Sequence, residues 1–393
     1  MTDSTPWQPP AGSTPPVPPS PYAAPQAPVP PPAPAPQAGW TPPPKPGLIP
    51  LRPLTFGTLL GATFQVLRRN PRPTFGFALV VTGIINVATY GIVGLVAFFA
   101  FSRVQFATST DDQDAIAAGA VALVLLSALV PAALAIVGTA IVQGVISLEV
   151  ARGTLGERLR LPGLWRAAKG RIGALIGWSA LISVALLLAI AIIAVAIALI
   201  VAFGGVAGIV VGVLLGFLFA AVFIAAAAWL GTKLSLVPSV LMLERLPLRA
   251  ALARSWSLTT GSFWRVLGTL LLVSVIVNIA TSIITTPLQL FASFGATLIN
   301  PNGDTTGYLV TAGILAVVTV IVSAVFGAIA AVVQGSAPAL IYIDIRMRKE
   351  GLDLELQRFV EARQAGDTSV ADPYLVASGA APVPTVPGAS PWS

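Results

Sequence analysis

The sequence predicts an all-α integral membrane protein: six transmembrane helices in three hairpin repeats, each repeat preceded by an amphipathic interfacial helix. Of its 393 residues, 55% are hydrophobic and 9% are charged, whereas soluble proteins carry about 25% charged residues. The mean hydropathy is +0.87. The apolar residues are grouped into long stretches, each at or above the roughly 20 residues that cross a bilayer as a helix.

The N-terminal stretch, residues 1–46, holds more than half of the chain's 35 prolines. It has no apolar run of the kind found in a signal peptide. Such a composition buries too little apolar surface to offset chain entropy, so it predicts a disordered proline-rich tail, partly in polyproline II. The tail is either a ligand for a proline-recognition module or a solvated spacer. A shorter disordered tail of the same kind is predicted over residues 364–393.

The predicted membrane domain lies between the tails, over residues 47–360. Its central block, Ile172–Thr232, has no charged residue. One helix of that length would measure about 90 Å, too long for a single span. The chain must therefore fold back, and Phe203-Gly204-Gly205 is the natural turn. The six predicted spans are 74–101, 115–148, 172–203, 205–232, 266–286 and 308–343.

The loop charges predict the topology. Of the 22 Lys and Arg residues, Arg103 alone lies in the loops that follow the first, third and fifth spans. The positive-inside rule then places both termini in the cytoplasm of a multi-pass plasma-membrane protein. The net charge of +7 is therefore interpreted as attraction to anionic lipid headgroups rather than to nucleic acid.

Similar segments recur at intervals of about 95 residues, which predicts the threefold repeat. Trp165 and Trp256 each precede a glycine by five positions, and Pro238 and Pro338 each precede an acid by six. Short helices before the spans, such as Pro247–Thr260, carry an apolar stripe and are expected to lie in the headgroup plane. They serve either as plain anchors or as headgroup-recognition elements.

Two features of the spans leave alternatives open. The second helix of each repeat is overlong, so it either bends at Pro131, Pro238 and Pro338 or extends into the cytoplasm. Span four carries a ridge of small residues that permits close helix packing, either within the chain or between two copies. The ridge consists of Gly204, Gly208, Gly212, Gly216 and Ala220.

The chain has no cysteine and no histidine. The absence of cysteine excludes disulfides, thiolate nucleophiles and iron–sulfur clusters, and the absence of histidine excludes a Ser–His–Asp triad. No phosphate-binding glycine loop of the ATPase type occurs. We therefore expect no cofactor, no catalytic residue, no metal site and no enzymatic activity.

The candidate functional residues are polar groups in or next to the spans. Three acids at the ends of spans are each followed closely by an arginine, and they form either a ring gating a cation path or interfacial ion pairs. Three amides lie deeper, and they bind either a substrate or neighbouring helices. The acids are Glu149, Glu244 and Asp344, followed by Arg152, Arg245 and Arg346, and the amides are Gln143, Asn278 and Gln334.

Three segments carry a family resemblance: 51–71, 250–268 and 341–355. They include Arg68-Arg69-Asn70-Pro71, Ala250-Ala-Leu-Ala-Arg-Ser-Trp256 and Ile341-Tyr-Ile-Asp-Ile-Arg346. Residues 48–360 resemble a group of actinobacterial six-span membrane proteins that are similar to the membrane domain of glycerophosphoryl diester phosphodiesterase. The resemblance implies a six-span bundle without the catalytic domain, which in that enzyme is a separate barrel that uses histidines.

Two functions are consistent with these observations. One is a non-enzymatic partner or organiser of envelope or lipid-related machinery, with a protein partner bound through the proline-rich tail. The alternative is a small-molecule or lipid transporter built on the threefold repeat.

Overall fold

The computed structural model describes residues 47–299, 305–367 and 369–375, and over these residues the chain is helical without strands. The predicted proline-rich tail, residues 1–46, lies outside the described residues, as do residues 376–393 of the predicted C-terminal tail. The helices of the described part are α1 (Phe56–Arg69), α2 (Arg72–Phe101), α3 (Thr110–Thr154), α4 (Leu161–Ala168), α5 (Ile172–Gly205), α6 (Ala207–Leu243), α7 (Leu248–Thr259), α8 (Phe263–Ile299), α9 (Thr305–Glu350) and α10 (Leu352–Gln364).

Six of these helices, α2, α3, α5, α6, α8 and α9, are long and apolar enough to cross a membrane. Each predicted span overlaps one of them, so the prediction of six apolar helices is confirmed. The turn between α5 and α6 lies at Gly205, where φ is 55° and ψ is −144°. A side chain would be strained in that conformation, so glycine is required at the fold-back point that the sequence predicts.

Two of the overlong helices are interrupted near their prolines, and the third is not. In α3 the helix is interrupted at Ala128, close before Pro131, and in α6 it is interrupted at Ser235 and Leu236, close before Pro238. A proline removes one backbone donor and crowds the preceding turn, which accounts for these breaks. By contrast, α9 continues through Pro338 for 46 residues. It is therefore about 70 Å long, more than twice the hydrocarbon thickness of a bilayer.

The buried core lies at one end of the bundle, which we call the base. The base contains α1, α4, α7, α10, residues 47–55 and the adjoining ends of the long helices, and its buried side chains form one continuous cluster. The helix α9 lies at its centre and contacts α1, α2, α3, α7, α8 and α10. Away from the base the long helices expose large apolar side chains, such as Phe203, Phe217 and Ile283. Such exposure is stable in lipid rather than in water.

The short helices use their apolar stripes to pack within the protein. The buried face of α1 consists of Leu59, Ala62, Thr63 and Val66, whereas Phe56 at its start is exposed. In α7 the buried residues are Ala251, Ser255, Leu258 and Thr259. A protein core and a lipid interior both accept an apolar stripe, so the sequence pattern alone does not distinguish these environments.

The ridge of small residues on α6 packs against α5 of the same chain. A Cβ added to Gly208 would lie 2.5 Å from the carbonyl oxygen of Ile200, and one added to Gly212 would lie 2.7 Å from Cγ2 of Val201. Backbones approach this closely only where side chains are absent. Of the two alternatives, packing within the chain is the one that the structure displays at Gly208 and Gly212.

Part of the predicted C-terminal tail, residues 364–393, is held against the base. Residues 369–375 fold back, and the Tyr374 side chain is buried between Ala151 and Thr154 of α3. Asp372 forms an ion pair with Arg152. One buried aromatic side chain and one ion pair therefore hold the first part of this segment against the base.

Candidate functional site

The three acids predicted from the sequence all lie in the base. Glu149 lies near the end of α3, Glu244 directly follows α6, and Asp344 is on α9. None of them exposes more than 5% of its surface. Burial of an unpaired carboxylate is very costly, so the partners of each acid decide what it can do.

Asp344 is fully paired. Its Oδ1 accepts hydrogen bonds from the Leu54 backbone N–H at 2.8 Å and from Arg348 Nε at 3.1 Å, and its Oδ2 lies 3.0 Å from Arg265 Nη2. Both arginines also donate to the Leu54 carbonyl, at 2.7 and 2.6 Å. Asp344 thus joins α8 and α9 to the segment that precedes α1, which is a structural role.

Glu244 is also fully paired. The Arg254 Nε donates to its two oxygens at 3.1 and 3.0 Å, and the Tyr342 hydroxyl donates to Oε1 at 2.8 Å. These partners come from α7 and α9, so the carboxylate connects the end of α6 with both helices. Neither oxygen remains free for a transported cation.

Arg346 extends this network to the C-terminal segment. Its Nε donates to Glu350 at 2.8 Å, and its Nη1 donates to the Tyr342 hydroxyl at 2.9 Å and to the Tyr374 carbonyl at 3.2 Å. Glu350 also pairs with Arg254 at 2.6 Å. Two acids and two arginines therefore compensate one another around Tyr342, with little charge left over.

Glu149 differs from the other two acids because only one of its oxygens is bonded. Asn70 Nδ2 donates to Oε1 at 3.0 Å, whereas Oε2 is buried and has no hydrogen-bond partner. The neighbouring Arg69 donates to the carbonyls of Gly153 and Glu157 instead, and its own Nε is buried without a partner. Glu149 is thus the acid with spare hydrogen-bonding capacity.

The arginines that follow the three acids in the sequence are not their main ion-pair partners in the structure. Arg152 pairs with Asp372 and Glu157, and Arg346 pairs most closely with Glu350. Arg245 forms no ion pair within the described residues. The pair Asp344–Arg348 has the i,i+4 spacing of a helix and was therefore recognisable in the sequence. Asn70, Arg254 and Arg265 come from other helices, and no local spacing identifies them.

The three deep amides do not form one group. Gln143 and Gln334 line a common cavity of about 300 Å³ between α2, α3 and α9, together with Thr82 and Thr139. Neither glutamine side chain hydrogen-bonds to another residue in the described part of the chain. Asn278 lies elsewhere: it is exposed, and its Nδ2 donates to the Ser274 carbonyl of its own helix at 2.7 Å. The cavity thus presents two amides without hydrogen-bond partners among mostly apolar side chains, with Gln143 half-buried and Gln334 exposed.

Within the described residues, no group of three or more His, Cys, Asp or Glu side chains could hold a metal ion. Arginines hold Glu244 and Asp344, with Tyr342 also donating to Glu244, whereas Asn70 holds Glu149. The chemistry that this arrangement supports is electrostatic pairing and hydrogen bonding.

Comparison with known proteins gives one family match. No curated protein and no solved structure matches the chain. The match spans residues 213–350, which include α6 from Val213 onward and the helices α7, α8 and α9. It also includes Glu244 and Asp344 with all their arginine partners, and no catalytic-domain family is detected. Over these residues the chain is similar to the membrane domain of glycerophosphoryl diester phosphodiesterase, as the sequence motifs predict.

Proposed function

We propose that the protein is a non-enzymatic plasma-membrane protein that organises lipid-related or envelope machinery at the cytoplasmic face of the membrane. The observation that carries this proposal is the pairing of the buried acids in the base: Glu244 and Asp344 both form ion pairs with arginines of neighbouring helices. A protein that gates cations through these acids would need them free. A rigid platform needs them paired, because paired charges hold several helices in one arrangement.

The arginines support a cytoplasmic position for the base. Among the described Lys and Arg residues, Arg103 alone lies in the loops at the opposite end. Trp165 and Trp256 are each 40% exposed at the base, and tryptophan is enriched where membrane proteins meet the lipid headgroups. The Nζ of Lys233 lies 5.2 Å from the centroid of the Trp256 ring, so a positive charge lies beside this aromatic side chain. We propose the three base helices α1, α4 and α7 as interfacial elements of a threefold repeat.

The test is native mass spectrometry of the protein in nanodiscs, with and without residues 1–46. We expect a protein partner that is retained by the full chain and lost with the tail. If no partner depends on the tail, the tail is a spacer and the organiser role is contradicted. A lipid retained by both forms would instead place the binding in the helical part.

Substitution of the acids separates the organiser from a transporter. Glu244→Gln and Asp344→Asn should reduce stability and leave partner binding intact in the folded fraction. Glu149→Gln should cost less stability, because it removes a buried carboxylate that has one unbonded oxygen. Loss of partner binding in a variant whose stability is unchanged would contradict the organiser proposal.

A second candidate, binding or transport of a small molecule or lipid within the bundle, is favoured by the cavity at Gln143 and Gln334. Free amides in a membrane-spanning region are costly unless something hydrogen-bonds to them. Replacing both glutamines with leucine should abolish retention of a bound molecule in nanodiscs, whereas Asn278→Leu, outside the cavity, should not. Equal retention by both variants would remove this candidate.

A further inference from the structure

A second pocket, in the base, is lined by arginines from two parts of the chain. It has a volume of about 370 Å³ and is lined by Gly47, Leu48, Gln65, Arg68, Arg69, Gly156 and Arg158. Arg68 and Arg69 end α1, and Arg158 follows α3. No acidic residue is among the lining residues. The fold therefore brings three positive charges to one concave site.

The three arginine charges of this pocket outnumber the acids near them. Arg69 and Arg158 interact electrostatically with one buried carboxylate, that of Glu149, whose Oε2 has no hydrogen-bond partner. Arg68 and Arg158 are exposed and form no ion pair with another described residue. Arg69 donates to two backbone carbonyls, and its Nε is buried without a partner. The neighbouring carboxylate of Glu157 pairs with Arg152 and Arg363. This is unlike the network around Glu244, where arginines and acids balance.

The loop that forms one wall is tightly packed. A Cβ added to Gly47 would lie 2.0 Å from the Gly153 carbonyl oxygen and 2.6 Å from the Gly156 nitrogen. The Nη1 of Arg69 donates a hydrogen bond to the Gly153 carbonyl of the same wall. The wall thus has a defined shape, and Arg68 and Arg158 remain as the adjustable donors.

We infer that this pocket binds a phosphate group. Arginine presents planar, forked N–H donors that match phosphate oxygens. The three arginines of this pocket outnumber the one carboxylate that interacts with them, that of Glu149. The inference deepens the proposed function, on which its cytoplasmic, lipid-facing setting rests. The phosphate comes either from an anionic lipid headgroup or from a soluble phosphate, and the experiment distinguishes these two sources.

The experiment compares wild-type protein with Arg68→Gln, Arg158→Gln and, as a matched control, Arg249→Gln. Arg249 is exposed on α7 in the base, is unpaired among the described residues, and does not line the pocket. All three substitutions remove one surface charge, so bulk electrostatics affects them alike. Arg69 is left unchanged because it holds the wall of the pocket.

One arm uses nanodiscs of phosphatidylcholine with and without phosphatidylglycerol, and native mass spectrometry measures the phosphatidylglycerol that stays bound. The other arm titrates inorganic phosphate against the protein in phosphatidylcholine nanodiscs and measures the rise in unfolding temperature. We expect each pocket variant to weaken binding roughly tenfold, corresponding to one lost charge-assisted hydrogen bond. The Arg249→Gln protein should bind as the wild type does.

The outcomes distinguish a lipid headgroup from a soluble phosphate, and failure of this inference from failure of the proposed function. Pocket-dependent binding in the first arm alone identifies a lipid headgroup, and in the second arm alone it identifies a soluble phosphate. Equal binding by all variants would overturn the inference while leaving lipid association, and with it the proposed function, intact. Absence of any binding in both arms would also overturn it, whatever the tail-dependent partner test reports.

Discussion

At the scale of single residues, the three buried acids are distinguished by the number of their partners. Glu244 and Asp344 each accept hydrogen bonds on both oxygens, whereas Oε2 of Glu149 has no partner. Removal of one member of a buried pair costs far more than the pair contributes net, because the remaining charge stays buried. Stability should therefore be more sensitive to the paired acids than to other carboxylates.

Glu244→Gln should destabilise the protein by about 3 kcal/mol, because Arg254 and Arg346 would then share the carboxylate of Glu350 alone. Thermal unfolding in mild detergent, followed by circular dichroism, measures the effect. Asp114→Asn is the control, since Asp114 is exposed at the opposite end. Equal unfolding temperatures for the two variants would contradict the structural role of Glu244.

The Tyr374 phenol should titrate at high pH. Burial raises its pKa, and the hydrogen bond with Thr154 only partly opposes this. A raised pKa means that the docked state favours the neutral phenol, so docking is fully stabilised below the ordinary pKa of about 10 and weakens above it.

The absorbance of tyrosinate in the wild type, minus that of Tyr374→Phe, isolates this group during an alkaline titration. We expect its midpoint to lie above that of exposed tyrosines. A midpoint at about 10 would indicate that the segment is not docked in solution.

At the scale of elements, the α5–α6 hairpin depends on the absence of side chains at its contact. Gly208 faces the Ile200 carbonyl, which is backbone and cannot rotate away. By contrast, a Cβ added at Gly231 of the same helix would have no atom within 4 Å. The two glycines thus provide a matched pair of positions.

Gly208→Ala should lower stability by about 1–3 kcal/mol, because the added methyl forces the two helices apart. Gly231→Ala should be neutral or stabilising, since alanine favours helix more than glycine does. Thermal unfolding of both variants measures the difference. A neutral Gly208→Ala would mean that the hairpin is looser than the structure displays.

At the scale of the whole molecule, the core is concentrated in the base, and the far ends of the long helices are apolar on all sides. The segment 369–375 covers part of that base through Tyr374 and Asp372. Its removal would expose the polar end of α3 and leave Arg152 with Glu157 as its one remaining acidic partner among the described residues.

Truncation after residue 367 should therefore increase amide hydrogen exchange over residues 149–155, because buried contacts there are lost. Truncation after residue 375 is the control, since it keeps Tyr374 and Asp372. Mass spectrometry of both proteins in nanodiscs measures the exchange. Equal exchange in the two truncations would show that the docked segment contributes nothing to the base.

The number of apolar helices and the fold-back near Gly205 follow from the sequence, because length, hydropathy and glycine are local properties. The same holds for the Asp344–Arg348 pair, which has helical spacing. The partners of Glu149 and Glu244, the shared cavity of Gln143 and Gln334, and the arginine pocket join residues that are 10 to 191 positions apart. Local periodicity carries no information on such pairs, since they arise only when the long helices pack at the base.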